Sequence, residues 1–371
     1  MIPADWRNHL YLINENTLCD NLIGCCYTMK HIYIRRESVD NERRTPIVPK
    51  DIKNLVSAGI TVVVQYSDNR IYRDEEYEKE GAILTNKPWY SEEYSNYLII
   101  GLKELDHIEH LHNHTHMYFS HSFKNQTNAK KILDAFSKSN SSIYDFEYFL
   151  DNNKRYIAFG HYAGIVGAVL GLQQYTSRNN NIQDINNLKS YSSYSSLIKT
   201  VSFSTVKIAL IGSEGRCASG VKKILDTLGM IYTPFTKSDS ISGLENYDIV
   251  YNCIVLDEFY SHIWFDKTTH FTKPIVIVDI SCDYSKKNNP IKLYTQATTW
   301  EHPVFKYNEF VDIIAIDNLP SMLPKESSDE FSDLCTKLLL SFGTEIWIKC
   351  LEKFKVATEN EILIRAVQIL N

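Results

Sequence analysis

The sequence has few features of a covalently or metal-clamped scaffold. Its eight cysteines are spread over 371 residues, at positions 19, 25, 26, 217, 253, 282, 335 and 350. That is too sparse for a disulfide-stapled fold, and no pair has the CxxC spacing of a zinc ribbon. There is no basic excess: 39 Lys+Arg stand against 45 Asp+Glu, a net charge of −6. This argues against a general nucleic-acid or anionic-membrane binder. The opening stretch MIPADWRNHLYL lacks a basic region followed by an apolar one, and the closing QILN is neither SKL nor KDEL. The expected setting is therefore a reducing, cytoplasm-like compartment. One apolar run, Tyr156–Tyr175, approaches the length of a membrane span, but it holds His161 and four glycines. It reads as a buried Gly/Ala-rich helix.

What is present is an ordinary globular composition, 44% hydrophobic and 23% charged, in a chain long enough for two domains. Short β-branched runs alternate with amphipathic stretches. Strands are expected at Ile32–Arg35, Ile60–Gln65, Leu98–Ile100, Met117–Ser120 and Ile143–Glu147. Helices are expected at Pro49–Ala58, Tyr72–Gly81 and Ala129–Ser137. After the Gly-rich helix comes Ser177–Ser196, a stretch dominated by Asn and Ser that reads as an exposed linker. Strands then recur at Val206–Ile211, Ile249–Ile254, Ile275–Ile280 and Ile313–Ile316, with a helix over Val221–Leu228 and a helical tail over Phe331–Leu370. Alternating short strands and helices predict an α/β fold with parallel sheets.

Three local patterns could carry chemistry. The strand ending at Ile211 runs into Gly212, Gly215 and Gly220 and then a helix. Such a turn lets a pyrophosphate approach the backbone at a helix N-terminus. The acid expected about 20 residues on is missing from the end of the next strand, where Thr236 stands. The second pattern is a histidine run: six of the twelve histidines fall between His107 and His121. His107–His114 reads as a solvated loop with no metal site, whereas His121 ends an apolar-aromatic strand and is expected to face a cleft. The third is Lys103, placed just past a buried strand and Gly101. Ligands bind along that edge of a parallel sheet.

At these residues the sequence resembles the NAD-dependent, lysine-forming saccharopine dehydrogenases, relatives of alanine dehydrogenase and the transhydrogenase alpha subunit. The matching pieces, in order, are Glu42-Arg-Arg44, Gly101-Leu-Lys-Glu104, Phe119-Ser-His121 with Lys124 and Gln126, Tyr144-Asp-Phe-Glu147, Lys154-Arg155, Phe159–Gly164, Gly212–Gly220, Asn252-Cys253, Val278–Asp283 and Ile316–Ser321. The resemblance implies an α/β protein of two Rossmann-like domains with parallel sheets and an interdomain active-site cleft. Residues 1–30 would be an N-terminal extension, 31–158 plus 324–371 the substrate domain and 159–323 the dinucleotide domain. By position, Lys103 and His121 match the acid–base pair. Arg44, Gln126, Arg155, Phe159, Ser281, Cys282 and Asp283 match substrate contacts. Lys154, Gly215, Arg216, Thr236, Ser240, Val255, Ile280, Ile316, Asp317, Asn318 and Leu319 match contacts to NAD. Glu104 and Glu147 are carboxylates placed to tune the cationic pair. Cys217 and Cys253 occupy positions that can form a disulfide in the family.

The implied reaction oxidises L-saccharopine with NAD and water to L-lysine and 2-oxoglutarate, on the aminoadipate route to lysine. Saccharopine carries three carboxylates on a secondary amine, which suits the forked donors of Arg44 and Arg155. Small-molecule partners, no nucleic acid, no membrane and a monomer are expected. Some positions depart from the family pattern: Val39 or Asp40 where a Lys is common before Glu42, Lys154 for an Arg, Thr236 for an Asp, and Asn318 for a His. Two alternatives stay open: an alanine dehydrogenase-like enzyme of the same architecture, and a non-catalytic ligand-binding relative, which the thinned cofactor contacts motivate.

Overall fold

The protein is described from a computed structural model, over residues 29–39, 41–123, 128–201, 205–236, 239–256 and 260–370. Most of the expected N-terminal extension, as well as Lys124 and Gln126, lies outside the described residues.

Six strands form the first sheet: β1 (His31–Ile34), β2 (Thr61–Gln65), β3 (Ile83–Thr85), β4 (Leu98–Ile100), β5 (Thr115–Tyr118) and β6 (Ser142–Asp145). All pairs are parallel, in the order β3-β2-β1-β4-β5-β6. The inner strands are short and apolar along their length, because helices cover both faces of a parallel sheet. Helices α1 (Pro49–Ser57), α2 (Asp74–Lys79) and α3 (Ala129–Lys138) supply crossovers. The chain runs outward from β1 to β3, then returns to the other side of β1 for β4. The strand order therefore reverses between β1 and β4, and the loops leaving these two strands open a crevice.

A two-stranded hairpin, β7 (Leu150–Asp151) with β8 (Lys154–Arg155), leads out of this half. Next come the long helix α4 (Gly160–Asn179) and the short α5 (Tyr194–Ile198). The second sheet is built from β9 (Ile208–Ile211), β10 (Tyr232–Phe235), β11 (Ile249–Asn252), β12 (Ile275–Asp279), β13 (Phe305–Lys306) and β14 (Val311–Ile314), in the order β10-β9-β11-β12-β14-β13. Only the edge pair β13–β14 is antiparallel. Here the reversal falls between β9 and β11, so the glycine turn after β9 and the Cys253 loop after β11 face each other.

Helix α6 (Arg216–Thr227) packs against α4 at glycine contacts. A Cβ on Gly164 would lie 1.9 Å from the Cys217 carbonyl oxygen, and one on Gly220 would lie 1.9 Å from that of His161. Only backbone fits at these two crossings. The chain then returns to the first sheet through α7 (Pro324–Leu340) and α8 (Glu345–Leu370). Phe331, Cys335, Leu338 and Trp347 join Ile32, Ile34 and Val64 in one core.

Two elements differ from the sequence expectation. The Asn/Ser stretch is no free linker: it begins inside α4, and Ile185, Leu188 and Tyr191 pack on the second core. Widely spaced apolar residues are enough to pin a polar segment. The tail is two helices, broken after Leu340 where Gly343 takes a left-handed φ of 83°. The Gly/Ala-rich run is a buried helix, as expected. No helix among the described residues is long and apolar enough to cross a membrane.

Candidate active site

Lys103 follows β4 and His121 follows β5, two neighbouring strands. The loops they sit on are tied together by backbone bonds: Gly101 N–H donates to Met117 (3.1 Å) and Phe119 N–H to Leu102 (3.2 Å). The Lys103 backbone is held from below. The Glu37 carboxylate accepts the N–H groups of Leu102 (2.7 Å) and Lys103 (2.9 Å). Arg35 pairs with Glu37 at 3.3 Å and donates to the Lys103 carbonyl. Gly101 is required for this, since a Cβ there would stand 2.2 Å from the Arg35 guanidinium. His121 adopts a left-handed φ of 51°, with its ring stacked toward Phe119. Beneath it, Asp145 accepts from the Ser120 hydroxyl (2.7 Å) and from Glu147 N–H (2.8 Å). Burial raises the Asp145 carboxyl above its ordinary value, while the Ser120 bond and nearby His121 work against that shift.

The loop after β1 brings in Glu42 and Arg44, both buried. Their bond is a fork, Nε to Oε1 at 2.8 Å and Nη2 to Oε2 at 2.6 Å. Burial alone would raise the Glu42 carboxyl; the Arg44 guanidinium outweighs it, Lys103 adds to the effect, and the group lies below the usual range. The Lys103 charge is thus felt at this pair. Ser321, from the far half of the chain, donates to Glu42 at 3.2 Å. Arg44 lies 4.1 Å over the Phe159 ring, which stacks on Phe331 at 4.3 Å. Arg155 is paired with Glu147 at 2.6 Å. Arg216, at the start of α6, donates to the Arg155 carbonyl at 2.7 Å. Residues of both halves therefore touch here, Ser321 with Glu42 and Arg216 with the Arg155 carbonyl. Glu104 is exposed, with its charge reaching Tyr118.

On the second sheet, Gly212 (φ 75°) turns the chain, and Gly215 caps α6 without any side-chain bond to the first-turn N–H groups. Free N–H donors at a glycine turn suit a pyrophosphate. A cavity of about 210 Å³ opens from this turn, lined also by Thr236, Asp239, Val255 and Tyr260. Among the remaining expected contacts, Lys154 and Ser240 are exposed. The Ser281 hydroxyl bonds the Ile254 carbonyl at 2.5 Å, and Asp283 pairs with Lys286 at 2.8 Å. Cys282, Ile280, Ile316 and Leu319 bury their side chains in the cores, which leaves only backbone to meet a ligand there. Asp317 is exposed, and Asn318 accepts from the Trp300 indole at 2.9 Å. Cys217 and Cys253 are free thiols whose sulfurs stand 3.1 Å apart, in contact but not bonded.

The histidine run does not stay wholly in solvent. His107, His110 and His112 are exposed, but His114 and His116 are buried against Trp89. The sequence reading also missed Arg35, Glu37 and Asp145 as supports. An Arg-x-Glu directly after a buried strand was the available signal.

Comparison with known proteins settles the family. A family model described as "Alanine dehydrogenase/PNT, N-terminal domain" matches residues 33–166. The saccharopine dehydrogenase [NAD(+), L-lysine-forming] of Yarrowia lipolytica is 30% identical over 339 residues, covering 83% of this chain and 91% of that protein. This chain belongs to the saccharopine dehydrogenase family. The enzyme of the same description from Neurospora crassa is 28% identical and covers 88% of this chain and 96% of its own. Among solved structures, an L-alanine dehydrogenase superposes with a TM-score of 0.65 at 13% identity, over 88% of this chain and 93% of its own. That likeness shows the fold. A saccharopine dehydrogenase relative thus carries Lys103 and His121 on adjoining loops of its first sheet.

Proposed function

We propose that this protein is an NAD-dependent oxidoreductase that cleaves L-saccharopine with water to L-lysine and 2-oxoglutarate, and runs the reverse condensation. The observation that carries the reading is the tie between the Lys103 and His121 loops, beside two arginines held by buried acids, Arg44 by Glu42 and Arg155 by Glu147. Family membership at 30% identity over nearly the whole length supports it.

Bound NAD supplies the hydride acceptor. The glycine turn and the uncapped N–H groups of α6 would hold its pyrophosphate. Lys103 takes the proton from the secondary amine of saccharopine, so that an electron pair is available when hydride leaves the carbon. Water then adds to the substrate imine. His121 carries a proton to the departing lysine nitrogen, a shuttle suited to imidazole. Arg44 and Arg155 receive substrate carboxylates. Each already shares its guanidinium with one acid, Glu42 or Glu147, which fixes its plane and leaves further N–H donors for the ligand. Phe159 holds the flat face of Arg44.

The test is consumption of NADH with lysine plus 2-oxoglutarate, run beside pyruvate plus ammonia. Turnover on the first pair and not on the second is expected. Turnover on pyruvate plus ammonia alone would replace this reading with an alanine dehydrogenase-type reaction. No turnover on either would favour a non-catalytic relative.

A further inference from the structure

The sequence shows no acid at the end of the second strand of the dinucleotide half, where one that binds the adenine ribose is expected; Thr236 stands there. In the structure Asp239 is bonded back to Thr236. Asp239 N–H donates to the Thr236 carbonyl at 3.3 Å. The Asp239 carboxylate in return accepts from Thr236 N–H (2.5 Å) and from the Thr236 hydroxyl (2.8 Å), both through Oδ2. Oδ1 has no partner among the described residues. The end of β10 lies against the glycine turn, since Gly212 and Ser213 N–H groups both donate to the Phe235 carbonyl, at 2.9 and 3.0 Å. Asp239 and Gly215 line the same cavity.

We propose that Asp239 is the residue that binds the adenine-ribose hydroxyls and sets the preference for NAD over NADP, with Thr236 orienting its carboxylate. This rests on the NAD reading above. A carboxylate with one oxygen fixed and one free accepts from a sugar hydroxyl without having to be immobilised first. A phosphate monoester at the same place would meet Asp239 and also Glu214. No lysine or arginine is among the described residues that line the cavity. Among these described residues, two like charges facing a phosphate discriminate by repulsion. Three residues of offset conceal the acid from a reading that looks only at the strand end.

The experiment titrates the full-length protein with NADH and with NADPH, reading binding by nucleotide fluorescence or calorimetry without turnover. Wild type should favour NADH. Asp239→Ser should weaken NADH roughly tenfold or more and narrow the NADH:NADPH ratio by at least that factor. Asp239→Asn, nearly isosteric, should narrow the ratio while melting like wild type. Thr236→Asp added to Asp239→Ser should restore the preference. Wild type that binds NADH, with a ratio unchanged in both Asp239 variants, overturns this assignment and leaves the function standing. Wild type that binds neither nucleotide overturns both.

Discussion

Glu42 joins the structure of the crevice to its electrostatics. It is buried, forks onto Arg44, accepts from Ser321 and lies within reach of the Lys103 charge. Glu42→Gln would leave the Arg44 guanidinium buried without its counter-ion. Loss of one partner of such a pair costs about 3–5 kcal/mol, so denaturant unfolding should show a drop of that order. A change below about 1 kcal/mol would mean that water already compensates the arginine. Gly101 is a second sensitive point. Gly101→Ala drives a Cβ into the Arg35 guanidinium that holds the Lys103 carbonyl. Overpacking of roughly 1–3 kcal/mol is expected, together with a fall in kcat of up to about a hundredfold through misplacement. Steady-state kinetics beside a thermal melt would separate the two. Asp279 gives a pH signature. It is buried at the end of β12, bonded by the Tyr294 hydroxyl, the Asn252 side-chain amide and Cys282 N–H, and burial pushes its carboxyl up to about 6. Its folded-state value exceeds the unfolded one of about 3.9. Its favourable contribution is therefore complete below about pH 4, is lost as pH rises to about 6, and is flat above. The stability difference between Asp279→Asn and wild type should grow over that window in favour of the variant. A difference independent of pH would contradict the assignment.

Helices α4 and α6 cross so closely that the two glycines are structural requirements of the second half. Gly164→Ala or Gly220→Ala places a methyl 1.9 Å from a carbonyl oxygen of the partner helix. The helices must part, and α6 carries the glycine turn with it. Both a lower melting temperature and weaker NADH binding are expected, measured by a thermal melt and a nucleotide titration; weakened binding alone would mean that the crossing adapts. Much at this level was legible in the sequence. The β-branched runs and the Gly-terminated amphipathic stretches gave most strands and helices within a few residues, because strands buried on both faces leave continuous apolar runs. The short β3 and the β7–β8 hairpin were not legible, since two or three residues carry no period. The Asn/Ser stretch was misread because three spaced apolar side chains do not stand out in a polar background. In the site, Lys103 and His121 could be placed by their position after two strands. Glu37 and Asp145 could not, because each accepts from a backbone N–H brought to it only by the fold; Asp239 could not, because it stands three residues past Thr236 at the strand end.

The two halves meet through a few identifiable contacts. Ser321 reaches Glu42, and Arg216 reaches the Arg155 carbonyl, from the second half to the first. Arg216→Ala should loosen the β8 strand, seen as faster amide exchange around residues 154–156, and raise KM for the amino-acid substrate more than it lowers kcat. Unchanged exchange would confine Arg216 to the cofactor. The claim on which all else depends is that the pair after β4 and β5 performs the proton transfers. Lys103→Met and His121→Gln, each assayed with lysine, 2-oxoglutarate and NADH beside a direct NADH titration, test it most directly. In each variant kcat should fall by roughly 10²–10⁴ while NADH affinity stays at the wild-type value. Either variant turning over at the wild-type rate would contradict it.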